Sequence, residues 1–136
     1  MSVEVYFWGP SRDGVGHASI YVDGGSPPDP MYMSAWPVRG DYSDIVFGPV
    51  LFKSYAQDVK EENGVPSVTR FTKLDETAIK AAIRKVKGFG HYGLFSGNCA
   101  GMTAYCLAQG TSAPPPLVNT PWGLWLYARS LTMFYD

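Results

Sequence analysis

Residues 96–110 run Ser-Gly-Asn-Cys-Ala-Gly-Met-Thr-Ala-Tyr-Cys-Leu-Ala-Gln-Gly, without one charged side chain. A turn of small residues followed by an apolar run of helical length can only be a buried helix, ending at Gly110, and the rest of the chain must pack round it. Cys99 falls in its first turn. The unsatisfied N–H groups and the dipole of a helix N-terminus stabilise a thiolate there, lowering a cysteine from its free value of about 8.5. Cys99, at an exposed helix start, is therefore a candidate nucleophile. Cys106, in the apolar helix body, reads as a small buried hydrophobe. Seven residues of helix separate the two by roughly 10 Å along the axis, too far for a disulfide.

With 136 residues the chain is long enough to bury a core as a single domain, 1–136. Charged residues make up 17% and aromatics 15%, the balance of an aromatic-rich globule and not of a disordered chain. A net charge of −1 removes the simplest case for nucleic acid or an anionic membrane as partner. No apolar run approaches the ~18 residues of a membrane span, and Met1-Ser2-Val3-Glu4-Val5 is not the start of a signal peptide. Synthesis in the cytoplasm without a leader is expected, with export by a leaderless route left open. Two cysteines and two histidines show no close ligand-pair spacing, so neither a metal nor another cofactor is expected.

Punctuation divides the chain. Val3–Trp8 and His17–Val22 read as strands separated by a Gly-rich loop; on the second, His17, Ser19 and Tyr21 share one face. Ser26–Pro30 holds three prolines and cannot join a ladder. Met31–Trp36 reads as one strand, with Tyr32, Ser34 and Trp36 on a common face. Beyond it the signal weakens: strand pieces at Ile45–Phe47 and Val50–Phe52, a solvated loop over Gln57–Gly64, then a strand over Val68–Thr72. Leu74–Gly88 is the clearest helix, with Asp75 as N-cap, a Leu74–Ile79 staple, and an apolar stripe of Ile79, Ala82, Ile83 and Val86 from which Lys80 is excluded. Pro121 opens a last helix whose apolar face reads as Trp122, Trp125, Leu126, Arg129 and Met133.

A cysteine nucleophile wants an imidazole to take its proton. No histidine follows Cys99, so the base is His17 or His91. His17, on a strand beside a loop, has the more rigid support and is preferred over His91 in its Gly-rich segment.

Gly16-His17-Ala18-Ser19-Ile20-Tyr21-Val22-Asp23-Gly24 resembles the histidine strand of the circularly permuted papain-like proteins, which include relatives of lecithin–retinol acyltransferase and bacterial NlpC-like hydrolases. Asn98-Cys99-Ala100-Gly101-Met102-Thr103-Ala104-Tyr105 resembles their cysteine helix, and histidine before cysteine is the permuted order. The resemblance covers these two segments only. It implies an α+β fold, an antiparallel sheet packed against the cysteine helix and further helices. Catalysis would use Cys99 and His17, with a third polar residue orienting the imidazole. Ser34 stands at that third position, where relatives often carry a charged or amide side chain. Either the site works as a dyad, or another acceptor such as Asp29 or Asp41 moves in. Substrate contacts fall to Asn98, Trp36 and Tyr92, the last by analogy with a tyrosine upstream of the family's cysteine; Trp8 and Tyr6 are further candidates for the cleft.

The implied activity is a cysteine amidase or peptidase that passes through a covalent thioester, and by resemblance its substrate is the peptide part of peptidoglycan. A catalytic domain with no leader suits an effector toxin delivered into a rival cell's periplasm, with an immunity protein or secretion carrier as partner. An acyltransferase, or a lipid- or protein-directed thiol hydrolase, would use the same site. A non-enzymatic binding module would leave Cys99 as a buried thiol.

Overall fold

A computed structural model describes residues 1–10, 16–37, 48–88, 91–93 and 98–135. Its architecture is mixed α+β. Strands β1 (Val3–Trp8), β2 (His17–Val22), β3 (Met31–Met33) and β6 (Ser67–Phe71) form an antiparallel sheet in the order β3-β2-β1-β6. β4 (Ala35–Pro37), β5 (Gly48–Phe52) and β7 (His91–Gly93) form a second, smaller one. The helices are α1 (Tyr55–Glu62), α2 (Glu76–Lys87), α3 (Cys99–Gln109) and α4 (Pro121–Tyr135).

Strand alternation gives the larger sheet two different faces. Val3, Val5 and Phe7 stand opposite Val22, Ile20 and Ala18, and Met33 and Phe71 continue that face across the sheet. It packs against Ile79, Ala82, Ile83 and Val86 of α2, the uncharged helix α3, and Leu124, Ala128 and Leu131 of α4. Burial of each such aliphatic side chain contributes roughly 1.5–3 kcal/mol, so this layer holds most of the stability. The other face carries Glu4, Tyr6 and Trp8 opposite Tyr21, Ser19 and His17. It is polar and aromatic.

Several sequence expectations need correction. Met31–Trp36 is not one strand: it breaks at Ser34, β3 pairing with β2 and β4 with β5 in the other sheet. Gln57–Gly64 is not a solvated loop. A capping box, in which the Ser54 hydroxyl accepts from the Gln57 N–H and the Gln57 side chain accepts from the Ser54 N–H, starts α1, and Asn63 in the left-handed region ends it. Lys80 is fully buried, its ammonium donating to the carbonyls of Pro27 (2.5 Å) and Asp29 (2.8 Å), so it ties down the proline-rich loop that no ladder could hold. On α4 the buried stripe is Pro121, Leu124, Ala128 and Leu131, while Trp122, Leu126 and Met133 are 53%, 49% and 79% exposed. That helix is apolar nearly all round, so periodicity could not choose its inner face; the small Ala128 lets the backbone approach the sheet. Ile45–Phe47 lies outside the described residues.

Asp75 does cap α2, its carboxylate accepting from the Ala78 N–H at 3.0 Å, and Gly110 does close α3. A Cβ at Gly110 would lie 2.6 Å from Ile79 Cδ1 and 3.1 Å from Leu74 Cβ, whereas one at Gly64 would meet nothing within 4 Å. Gly110→Ala is therefore expected to destabilise the protein by about 1–3 kcal/mol through overpacking, and Gly64→Ala to stay within about 0.5 kcal/mol. Urea unfolding midpoints of the two variants measure the contrast.

Candidate active site

His17 is the first residue of β2 and Cys99 the first of α3, and the two meet at one end of the sheet. Both are buried, His17 at 2% and Cys99 at 6% exposure, so the helix start read as exposed is covered. The imidazole and the Cys99 side chain are hydrogen-bond and electrostatic partners. Asn98 caps α3: its Oδ1 accepts from the Gly101 N–H (2.7 Å), and its Nδ2 donates to the Asn119 carbonyl (2.7 Å). It thus fixes the cysteine turn to the chain that enters α4.

His17 Nε2 lies 2.7 Å from Ser34 Oγ, which leaves Nδ1 for the sulfur. Ser34 is therefore the imidazole's neighbour, as expected, but it does not act alone. Behind it stands Asp58 of α1, fully buried, with Oδ2 3.7 Å from Nε2. That distance makes an ion pair and not a hydrogen bond. Ser34 takes Nε2–H on one lone pair and Trp36 Nε1–H on the other (3.1 Å), and its hydroxyl helps hold the Asp58 carboxyl in the charged form. Asp58 further accepts from Trp36 Nε1 (2.7 Å) and from the Tyr32 hydroxyl, which in turn accepts from Ser19 (2.7 Å). Every member of this buried network is satisfied, as such networks must be.

Trp36 does more than donate. Its ring stacks on His17 (centroids 4.2 Å, 27°), and the Lys53 ammonium sits 4.5 Å from the indole centroid. Trp8 tilts against the imidazole at 5.6 Å. Trp8 and Trp36 therefore wall the imidazole, and Tyr6 belongs to a ring cluster with Trp8, Tyr32 and Tyr55 on the same sheet face. Tyr92 falls on β7, opposite Gly48, but its side chain lies outside the described residues, as do those of His91 and Asp41. Asp29 is exposed in the proline-rich loop, where its backbone carbonyl, as noted, takes Lys80. The group behind Ser34 is Asp58 and not Asp29. Asp58 was missed because the loop reading hid it; the Ser54-x-x-Gln57 capping box was the signal that could have found it.

The charges follow from this geometry. Burial pushes the His17 imidazole down, but the Cys99 charge and the Asp58 carboxylate outweigh it and raise it to about 9. Burial likewise works to raise Asp58, and is overcome by His17 and the Ser34 and Tyr32 hydroxyls, which hold the carboxyl below its usual range. Tyr32 is raised by burial and by Asp58. Burial alone pushes the Cys106 thiol up to about 12, as befits a core residue. The arrangement thus favours an imidazolium facing a thiolate. Among the described residues no group of three His, Cys, Asp or Glu side chains could hold a metal ion.

No protein-family model, curated protein or solved structure matches this chain.

A histidine raised on folding stabilises the folded state fully below its unfolded value of about 6.5, and that contribution is lost as pH rises through the folded value of about 9. In Cys99→Ala, where Asp58 still raises His17 and no thiol titrates against it, the urea midpoint is expected to fall as pH rises from about 6.5. In Cys99→Ala with His17→Gln the fall should be absent, which parallel titrations of the two proteins would measure.

Proposed function

We propose that this protein is a cysteine hydrolase, an amidase or peptidase of the permuted papain-like kind, with Cys99 as nucleophile and His17 as its base and acid. One observation carries the reading. A cysteine at the first turn of a buried helix hydrogen-bonds an imidazole whose far nitrogen is backed by a hydroxyl and a buried carboxylate. A merely structural thiol needs none of this, and Cys106 on the same helix has none of it.

The chemistry follows. His17 holds the proton of Cys99, and the thiolate attacks the carbonyl carbon of an amide, forming a C–S bond as the carbonyl π pair moves onto oxygen. The Cys99 N–H at the helix start is suited to donate to that oxyanion. As the tetrahedral centre collapses, the C–N bond breaks and His17 gives its proton to the departing amine. Water then attacks the thioester, His17 takes its proton, and the sulfur leaves. Asp58 supports the imidazolium throughout without itself taking the proton.

The resemblance of the two segments to NlpC-like enzymes makes peptidoglycan peptides the first substrate class. An effector acting in a target-cell periplasm, countered by an immunity protein, is the corresponding role. A second reading, acyl transfer or lipid hydrolysis at the same thiol, draws on the exposed apolar side chains Trp122, Leu126, Met133 and Phe134 of α4. No described helix is long and apolar enough to cross a membrane, so lipid contact would be peripheral.

Iodoacetamide labelling across pH, mapped by mass spectrometry, tests the thiol. Cys99 is expected to label with an apparent pKa clearly below about 8.5, and to lose that reactivity in His17→Ala, while Cys106 stays unlabelled in the folded protein. An ordinary, His17-independent Cys99 would sink the hydrolase reading. Digestion of peptidoglycan by wild type but not Cys99→Ala, against release of acyl groups from lipid, separates the two substrate classes.

A further inference from the structure

Helix α1 is an unusual carrier for so central a group. Of its residues Asp58 alone is buried. Apolar burial therefore does little to hold α1 on the sheet. Its other contacts among the described residues begin with Tyr55, which packs edge-on against Tyr32 and tilts over Tyr6 at 5.1 Å and Trp8 at 6.3 Å. Trp8 Nε1 donates to the Gly64 carbonyl just past the helix (2.7 Å), and Lys53 pairs with Glu61 at 3.4 Å near the surface. An exposed pair of that kind contributes little. The charge-assisted bonds of Asp58 are the strongest of the set.

We propose that α1 is a charge-locked strap. The Asp58 carboxylate holds the helix on the sheet, and by its ion pair with Nε2 it also holds His17, placed by Ser34, as the imidazolium partner of Cys99. Docking of α1 and assembly of the site are then one equilibrium, and each must favour the other to the same extent. This rests on the hydrolase reading for its catalytic consequence, but not for the lock itself. Asp58 is a positioning residue: it reaches no substrate, and it acts on the sulfur only through His17. The groups that face it are His17 from β2, Tyr32 from β3, Ser34 between the strands and Trp36 from β4. On its own helix Glu62 adds a like charge, and its carboxyl is raised by burial and by Asp58 and Glu61. The lock is closed where Asp58 is ionised and His17 protonated. It weakens as acid protonates Asp58 and as pH rises past about 9.

Amide hydrogen exchange at pH 7, with the pH profile of Cys99 alkylation, tests this on the full chain as wild type, Asp58→Asn, Tyr55→Ala and Ser34→Ala. In Asp58→Asn the amides of residues 58–62 are expected to exchange at least about tenfold faster, while those of β1, β2 and α3 keep their protection. The alkylation midpoint of Cys99 should move to higher pH in the same variant. Tyr55→Ala, which leaves the carboxylate intact, should move both readouts in those same directions. Ser34→Ala should move the alkylation midpoint while α1 stays protected by Trp36 and Tyr32. Unchanged exchange of α1 in Asp58→Asn would overturn the lock. Faster exchange in Tyr55→Ala with an unmoved midpoint would overturn the coupling. Should Asp58→Asn fail to fold, the Tyr55 and Ser34 variants decide the matter. If wild-type Cys99 proves ordinary, the hydrolase reading falls, and the exchange arm still decides whether the carboxylate holds the helix.

Discussion

A carboxylate with no exposure to solvent is costly to keep charged unless donors replace the lost water, and the outer face of the larger sheet is arranged round that requirement. Asp58 draws on the Trp36 indole, the Tyr32 and Ser34 hydroxyls, and the positive charge of His17. Those partners come from three strands and the break between two of them. Removing any one leaves a buried polar group short of a partner. The broken strand at Ser34, the capping box at Ser54 and the aromatic ring cluster all bring this one charge to one place.

The two faces of that sheet divide the work. The inner face is a continuous apolar layer, and its helices α2 and α3 pack so closely that Gly110 leaves no room for a methyl group. The outer face buries aromatic rings edge to face and a hydrogen-bonded network, interactions that are directional and individually modest. The apolar layer thus sits on one side of β1 and β2, and the polar network round His17 and Asp58 on the other. Site residues drawn from the less apolar side can be exchanged or moved without dissolving the core.

What could be read from sequence follows the same division. Asp75, Gly110, the α2 stripe and the first two strands were legible because local rules and burial agree there. Inventory left His17 or His91 as partner of Cys99, since no histidine follows the cysteine, and the strand support of His17 chose between them. Asp58 was not, because α1 has almost no apolar stripe and helix detection leans on one; only the capping chemistry marked it. Lys80 misled for the opposite reason. Its charge put it on the outside, although its long stem can cross the apolar layer and deliver the ammonium to two loop carbonyls. The α4 face was undecidable in principle, since a helix apolar all round has no moment to read.

Ser34 is best understood together with Asp58. A carboxylate at position 34 would set a second negative charge beside a buried first one, and one of the two would stay protonated. An amide would crowd the space where Trp36 Nε1 is shared between Ser34 Oγ and Asp58 Oδ1, at 3.1 and 2.7 Å. A hydroxyl fits both demands. It is neutral and small, and its two lone pairs match the two N–H donors that surround it. The serine beside the imidazole and the carboxylate that arrives from a separate helix are therefore one arrangement. The residue next to the imidazole supplies direction, and the residue behind it supplies charge.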